Sequence, residues 1–277
     1  MHRFNADGRH RVAGPVLATF LLLLTAIVPH AAYALPTFER TFNFSGNDYG
    51  SRVVALDDGG CVVAAAVTLA AGPYGMALMR LDTLGDTLWM THFAEEQGGV
   101  ACQARDGGFV TAASVHRSGS WTDIILHKLN GGGDSLWSTT FGTAGFDEPY
   151  DISATADGGV IVSAWYCDSP GGNGGIIKFD SAGALQWSRY LSDSLEVEPY
   201  SISQLRDGGY VVGGRAADRP AASLFYLARL DSSGTTAWSL RGDTSYRMAV
   251  CADVLEARSG GYAACGIGLD RNADRYR

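Results

Sequence analysis

The sequence predicts an all-β fold: a β-propeller of four-stranded antiparallel blades, in about five units of ~50 residues with the last unit incomplete. Two landmarks and one absence predict it. Double glycines end at Gly60, Gly108, Gly159, Gly209 and Gly261, spaced 48, 51, 50 and 52 residues apart. A phrase of the form LDxxGxxxW places Gly85, Gly133, Gly183 and Gly234 four residues before Trp89, Trp137, Trp187 and Trp238, and these tryptophans are 48, 50 and 51 apart. Outside the first 34 residues no stretch sustains apolar spacing of 3.6, so helices are not expected.

Each unit supplies four strand-like pieces. The first alternates with period two, as in YDISATA and YSISQL, and the second follows the glycines as CVVAAAV, FVTAASV, VIVSAWY or YVVGGR. The third reads MALMRLD, IILHKLN, GIIKFD or FYLARLD, and the fourth opens at the tryptophan. In the phrase, Asp82 (or Asn130 in the next unit) begins a tight turn by accepting backbone N–H bonds. Gly85 closes it in the left-handed conformation, a type I turn with a glycine bulge. The RDGG and ADGG stretches read as a second hairpin turn. A tryptophan recurring at one strand position is expected to fill the gap between its blade and the next, at about 3–5 kcal/mol per ring. Trp121 and Trp165 lie outside that register and are better candidates for ligand contact than those four, with packing as their other reading. Phe38 and Phe42 occupy the places of Trp89 and Phe93, so the segment from 38 reads as a fourth strand without its first three.

Residues 1–34 read as a secretory signal peptide. Arg3, Arg9 and Arg11 precede the 13-residue apolar run VLATFLLLLTAIV, and Ala32-Tyr33-Ala34 offers a cleavage site. Thirteen residues fall short of the ~20 that span a bilayer, so no membrane insertion is expected after cleavage. The propeller domain would then cover 35–277, with the chain secreted, extracellular or in the cell envelope. The sequence stops before a third strand of the fifth unit, which reads as a truncated C-terminus.

The full chain carries 21 Lys+Arg against 29 Asp+Glu, a net charge of −8, which argues against a nucleic-acid partner. Cys61, Cys102, Cys167, Cys251 and Cys265 show no C-x-x-C spacing, and they read chiefly as small buried thiols. Cys251 and Cys265 flank one hairpin turn and are the possible disulfide, with a register about one pair off from facing.

The units resemble the DGG-type β-propeller repeats of large bacterial secreted and surface proteins, on DGG, an apolar strand, KLD or RLD, x-x-G and Trp. The likeness covers nearly all of 38–277 and implies export and display, with no reaction attached. The phrase is also similar to the Trp-docking segment of pyrroloquinoline-quinone dehydrogenases, and YVVGG (Tyr210–Gly214) before Trp238 to a kelch repeat. The other units carry VVAAA, VTAAS and VIVSA there, and no adjacent cysteine pair supports the quinoprotein.

No catalytic site, metal site or cofactor is expected. His92, His116 and His127 lack metal-ligand spacing, and His127 reads as a packed or solvated strand residue near the positions of Arg80, Lys178 and Arg229. GGNGG (Gly171–Gly175) has no helix behind it and reads as a loop. Asp48, Glu96 and Asp147 each lie 12 residues before a second glycine, with Glu196 and Glu198 near the equivalent place. They read as turn caps on a solvated rim or, more sharply, as a ring for a cation or a basic partner. The function expected is a binding or display module for a protein or glycan. A propeller-based hydrolase, lyase or quinoprotein, and a passive spacer for a missing domain, are the alternatives.

Overall fold

The computed structural model describes residues 38–44, 46–68, 74–117, 121–167, 173–191, 195–218, 222–242 and 246–270. The expected signal peptide lies outside them. The described residues contain strands and turns and no helix. The first blade is Tyr49–Ala55 (β1), Cys61–Thr68 (β2), Tyr74–Leu81 (β3) and Thr87–Ala94 (β4). The second is Glu96–Gln103 (β5), Phe109–His116 (β6), Thr122–Leu129 (β7) and Ser135–Phe141 (β8). The third is Glu148–Ala154 (β9), Val160–Tyr166 (β10), Asn173–Phe179 (β11) and Leu185–Tyr190 (β12). The fourth is Glu196–Gln204 (β13), Tyr210–Asp218 (β14), Ala222–Leu230 (β15) and Thr236–Arg241 (β16). A hairpin, Tyr246–Glu256 (β17) with Tyr262–Asp270 (β18), follows at the place of a fifth blade. Each four-stranded blade is antiparallel in chain order, the meander of a propeller blade, and the hairpin joins the fourth through one parallel bridge, Ser223 of β15 to Met248 of β17.

Both glycines of each pair are required, for different reasons. The first (Gly59, Gly107, Gly158, Gly208) has φ of 82–86°, where a Cβ is disfavoured. The second has ordinary φ, but a Cβ there would lie 2.2–2.5 Å from the last carbonyl of the third strand, at Leu81, Leu129, Phe179 and Leu230. In the hairpin nothing lies within 4 Å of a Cβ on Gly261, since no third strand crosses it among the described residues.

The phrase turn is built as expected. The side-chain oxygen of Asp82 accepts the N–H groups of Leu84 and Asp86 at 2.8 and 2.9 Å, and Asn130, Asp180 and Asp231 repeat this two and four residues on. Gly85, Gly133, Gly183 and Gly234 close these turns at φ of 79–88°. The core lies between blades. Val62, Leu78, Phe109 and Leu129 join the first two. Ile124, Leu126, Val162 and Phe179 join the next pair, and Ile161, Ile176, Tyr210 and Tyr226 the one after.

The tryptophans seat each blade on the next. A Cβ added to Gly133 would lie 2.8 Å from the Trp89 ring, one on Gly183 2.9 Å from Trp137, and one on Gly234 2.7 Å from Trp187. Trp89 Nε1 also donates to the Gly131 carbonyl at 3.1 Å. These rings are half-buried on outer strands rather than sunk in the core, so the expected cost per ring comes down to about 3 kcal/mol or less. Trp238, with no following phrase among the described residues, is 39% exposed. Phe38 stands where a tryptophan would, 2.4 Å from a Cβ on Gly85. Residues 38–44 nonetheless form no strand, because no third strand lies beside them among the described residues.

The inner strands β1, β5, β9, β13 and β17 each carry a bulge at one equivalent position: Ser51, Gly98-Gly99, Tyr150, Tyr200 and Ala252. Polar bridges tie the inner strands to one another, both between neighbours and, from β1 to β9, past β5. Ser51 Oγ donates to the Gly99 carbonyl at 2.5 Å, and Asp151 accepts the Ile202 N–H at 2.9 Å. Ser201 Oγ donates to Asp253 at 2.8 Å, and Arg52 reaches Asp151 at 3.1 Å.

Candidate functional site

Two cavities sit at opposite ends of the central channel. The first, about 690 Å³, opens at the turn end and is walled by residues of β1, β5 and β9, Arg52 and Gln103 among them, with Arg105. Arg52 is already engaged by Asp151, and Asp151 also accepts the backbone N–H groups of Ile152 and Ile202. Those side chains hold the blades together.

The second, about 630 Å³, lies at the other end, where the inner strands begin. Its walls combine Glu148, Glu196 and Glu198 with the rings of Tyr74, Phe146, Tyr150 and Trp165, and with His116 and Gln97. The strand registers explain this grouping. Glu148 of β9 pairs directly with Trp165 of β10, so the two side chains share one face of the third blade. Glu198 of β13 pairs with Arg215 of β14, and the two form an ion pair. The bulge turns Tyr150 into the cavity and sets it against Tyr200, ring centroids 5.1 Å apart. The Tyr200 hydroxyl donates to Glu198. Trp121, 48% exposed, packs edge-on against Phe146 at 5.0 Å, so of the two off-register tryptophans Trp165 lines the cavity and Trp121 backs one of its walls.

The field in the cavity is negative. Glu148 opens to solvent, yet desolvation by the walls, and then the neighbouring Glu198, raise its pKa. Burial and the nearby Glu148 and Glu198 carboxylates push the Tyr150 phenol upward. Burial and Glu198, against the opposing pull of Arg215, do the same to Tyr200.

The acidic residues grouped by spacing separate in the structure. Asp48 and Asp147 are caps, but buried ones. Asp48 accepts the N–H of Phe44 at 2.9 Å and of Thr68 at 3.2 Å. Asp147 accepts those of Thr143 at 2.6 Å and Cys167 at 3.3 Å. They are 3% and 0% exposed, so the solvated rim is corrected: the carboxylates are drawn in because the turn presents its donors inward. Glu96 has no such turn, since β4 runs into β5 through Glu95 alone at φ 65°. Glu96 bonds His127 Nε2 at 2.7 Å, and His127 stacks on Phe93 at 4.3 Å. His127 is therefore packed. His92 lies against Gly75, and His116 joins Gln97 at the cavity. Among the described residues no group of three or more His, Cys, Asp or Glu is placed to hold a metal ion.

The possible disulfide is not formed. Cys251 faces Gly266 and Cys265 faces Asp253, with the bulge at Ala252 between them, which leaves Cys251 buried and Cys265 exposed. Cys61 and Cys102 are buried thiols, and desolvation pushes Cys102 up to about 12. Of the GGNGG stretch, Gly171 and Gly172 lie outside the described residues. Gly174 lets β11 approach the next blade, where a Cβ would lie 2.1 Å from the Val197 carbonyl.

Sequence reasoning missed one repeated contact and the site itself. The basic residue of each RLD, KLN or KFD reaches the aspartate of the DGG turn: Lys128 to Asp106 at 2.5 Å, Lys178 to Asp157 at 2.9 Å, Arg80 to Asp58 and Arg229 to Asp207. The periodic charge was a usable signal for the contact. For Tyr150 and Glu148 the signal was a position nine and eleven residues before the second glycine where the chemistry changes from unit to unit.

No protein-family model matches the chain, and no curated protein sequence does. Solved structures do. One is a neuraminidase-like protein from A/bat/Guatemala/164/2009, with TM-score 0.51 and 12% identity over 73% of this chain. Another is a puromycin hydrolase mutant, with TM-score 0.51 and 14% identity over 80% of this chain. The chain spans 58% and 36% of those two proteins. At these identities the likeness shows the fold: an all-β propeller of four-stranded blades.

Proposed function

We propose that this propeller is an exported binding module and that it seats a group of a protein or glycan partner in the acidic, aromatic cavity at the strand-start end. The observation that carries this reading is the convergence of Trp165, Tyr150 and Phe146 with Glu148 and Glu198 from separate blades on one 630 Å³ cavity. Export rests on the apolar leader and on the resemblance to DGG-type surface repeats. A screen of the whole chain on peptide and glycan arrays, repeated with Trp165→Ala, tests it. Hits that vanish with Trp165→Ala support the reading; hits indifferent to that change refute it.

One observation favours an enzyme as the second reading. Glu148 has a raised pKa, while Glu198 is held beside Arg215 and the Tyr200 hydroxyl, so two neighbouring carboxyl groups differ in character. Turnover of chromogenic glycosides or esters that is lost with Glu148→Gln would establish it.

A further inference from the structure

We propose that the group this cavity accepts is an arginine side chain of a peptide partner; the proposal rests on the cavity being the binding site. Glu148, Glu196 and Glu198 converge here, and among the described residues Arg215 is engaged by Glu198 while His116 contacts Gln97. Among the described residues Glu148 has no ion-pair partner. An incoming positive group would complete it, as Arg215 completes Glu198 one blade further on.

Shape narrows the cation to a flat one. The Trp165 ring stands beside Glu148 as its cross-strand neighbour, with Tyr150 on the same inner strand as Glu148. A guanidinium can stack on such a ring while bonding the carboxylate through two parallel N–H groups, which an ammonium cannot do. Stacking of this kind contributes more when the cation is desolvated. The methylene stem has apolar surface to lie along at Phe146 and Tyr74. The rim points to a peptide. Trp121, Phe146 and Tyr74 are 48%, 48% and 40% exposed around the mouth, apolar surface that residues flanking the arginine would cover.

The test is calorimetric titration of the whole chain with a capped Gly-Phe-Arg-Phe-Gly peptide, its citrulline and lysine counterparts, and a glucosamine tetramer. The arginine peptide is expected to bind, the citrulline peptide about tenfold more weakly, and the lysine peptide in between. Glu148→Gln is expected to weaken the arginine peptide about tenfold and leave the citrulline peptide unchanged. Trp165→Ala should weaken both, and thermal melts of each variant separate lost binding from lost fold. Equal binding of arginine and citrulline peptides, tighter binding of the glucosamine tetramer, or no binding of the arginine peptide overturns the assignment. If both peptides bind alike yet depend on Trp165, the cavity reading stands and the arginine falls. If binding ignores Trp165→Ala, both fall.

Discussion

At the turn end of the blades, Gly85, Gly133, Gly183 and Gly234 share a left-handed φ and each faces an aromatic ring. At the other end, Ser51, Gly99, Tyr150, Tyr200 and Ala252 hold one equivalent place with quite different chemistry. The first end repeats because the same joint must be made between each pair of blades. The second varies from unit to unit: Tyr150 enters the cavity, whereas Ser51 ties its strand to Gly99 of the next blade. Repetition in this chain therefore marks the scaffold, and departure from it marks the site.

The comparison breaks most visibly at a second glycine. Gly159→Val would drive a Cβ to 2.2 Å from the Phe179 carbonyl, and a loss of about 4 kcal/mol is expected in urea unfolding. Next come the tryptophans. Trp137→Ala should cost about 3 kcal/mol, whereas Trp238→Ala, whose ring has no following glycine among the described residues, should cost about 1 kcal/mol. Equal losses would mean that the rings do not act as joints.

Lys178→Met keeps the buried stem but removes the ammonium from Asp157, for about 1 kcal/mol at pH 7. Desolvation alone would raise Asp157, but the Thr155 hydroxyl and Lys178 overcome it and hold the carboxyl at about 2. Because that lies below the ordinary carboxyl value of 3.8, this contribution is full above about pH 4 and fades as pH falls towards 2. Stability curves of wild type and Lys178→Met should converge over that range, and an NMR titration should show Asp157 moving up in the variant. The smallest effect is expected at the varied end. Glu148→Gln, at an exposed position, should change stability by less than about 0.5 kcal/mol while weakening the arginine peptide about tenfold.

The fold was legible because its causes are local and periodic: a turn aspartate, a left-handed glycine and a ring recur at fixed distances. The two off-register tryptophans were visible as exceptions; Trp165 lines the cavity and Trp121 packs on Phe146 of its wall. The cavity was not legible as a whole. Glu148 meets Trp165, and Glu198 meets Arg215, only through cross-strand register that a bulge shifts by one residue. The spacing that grouped Asp48, Glu96 and Asp147 failed at Glu96, where a one-residue junction replaced the turn and redirected the side chain to His127.

The ring of Trp89 rests on Gly133, that of Trp137 on Gly183, and that of Trp187 on Gly234. The joint is thus a standard coupling with a plug on one side of each blade and a socket on the other. Units joined this way can be gained or lost by duplication or excision of whole periods, since Trp137 would meet in Gly234 the same socket it meets in Gly183. Changes that are not multiples of about 50 residues would leave a plug without a socket.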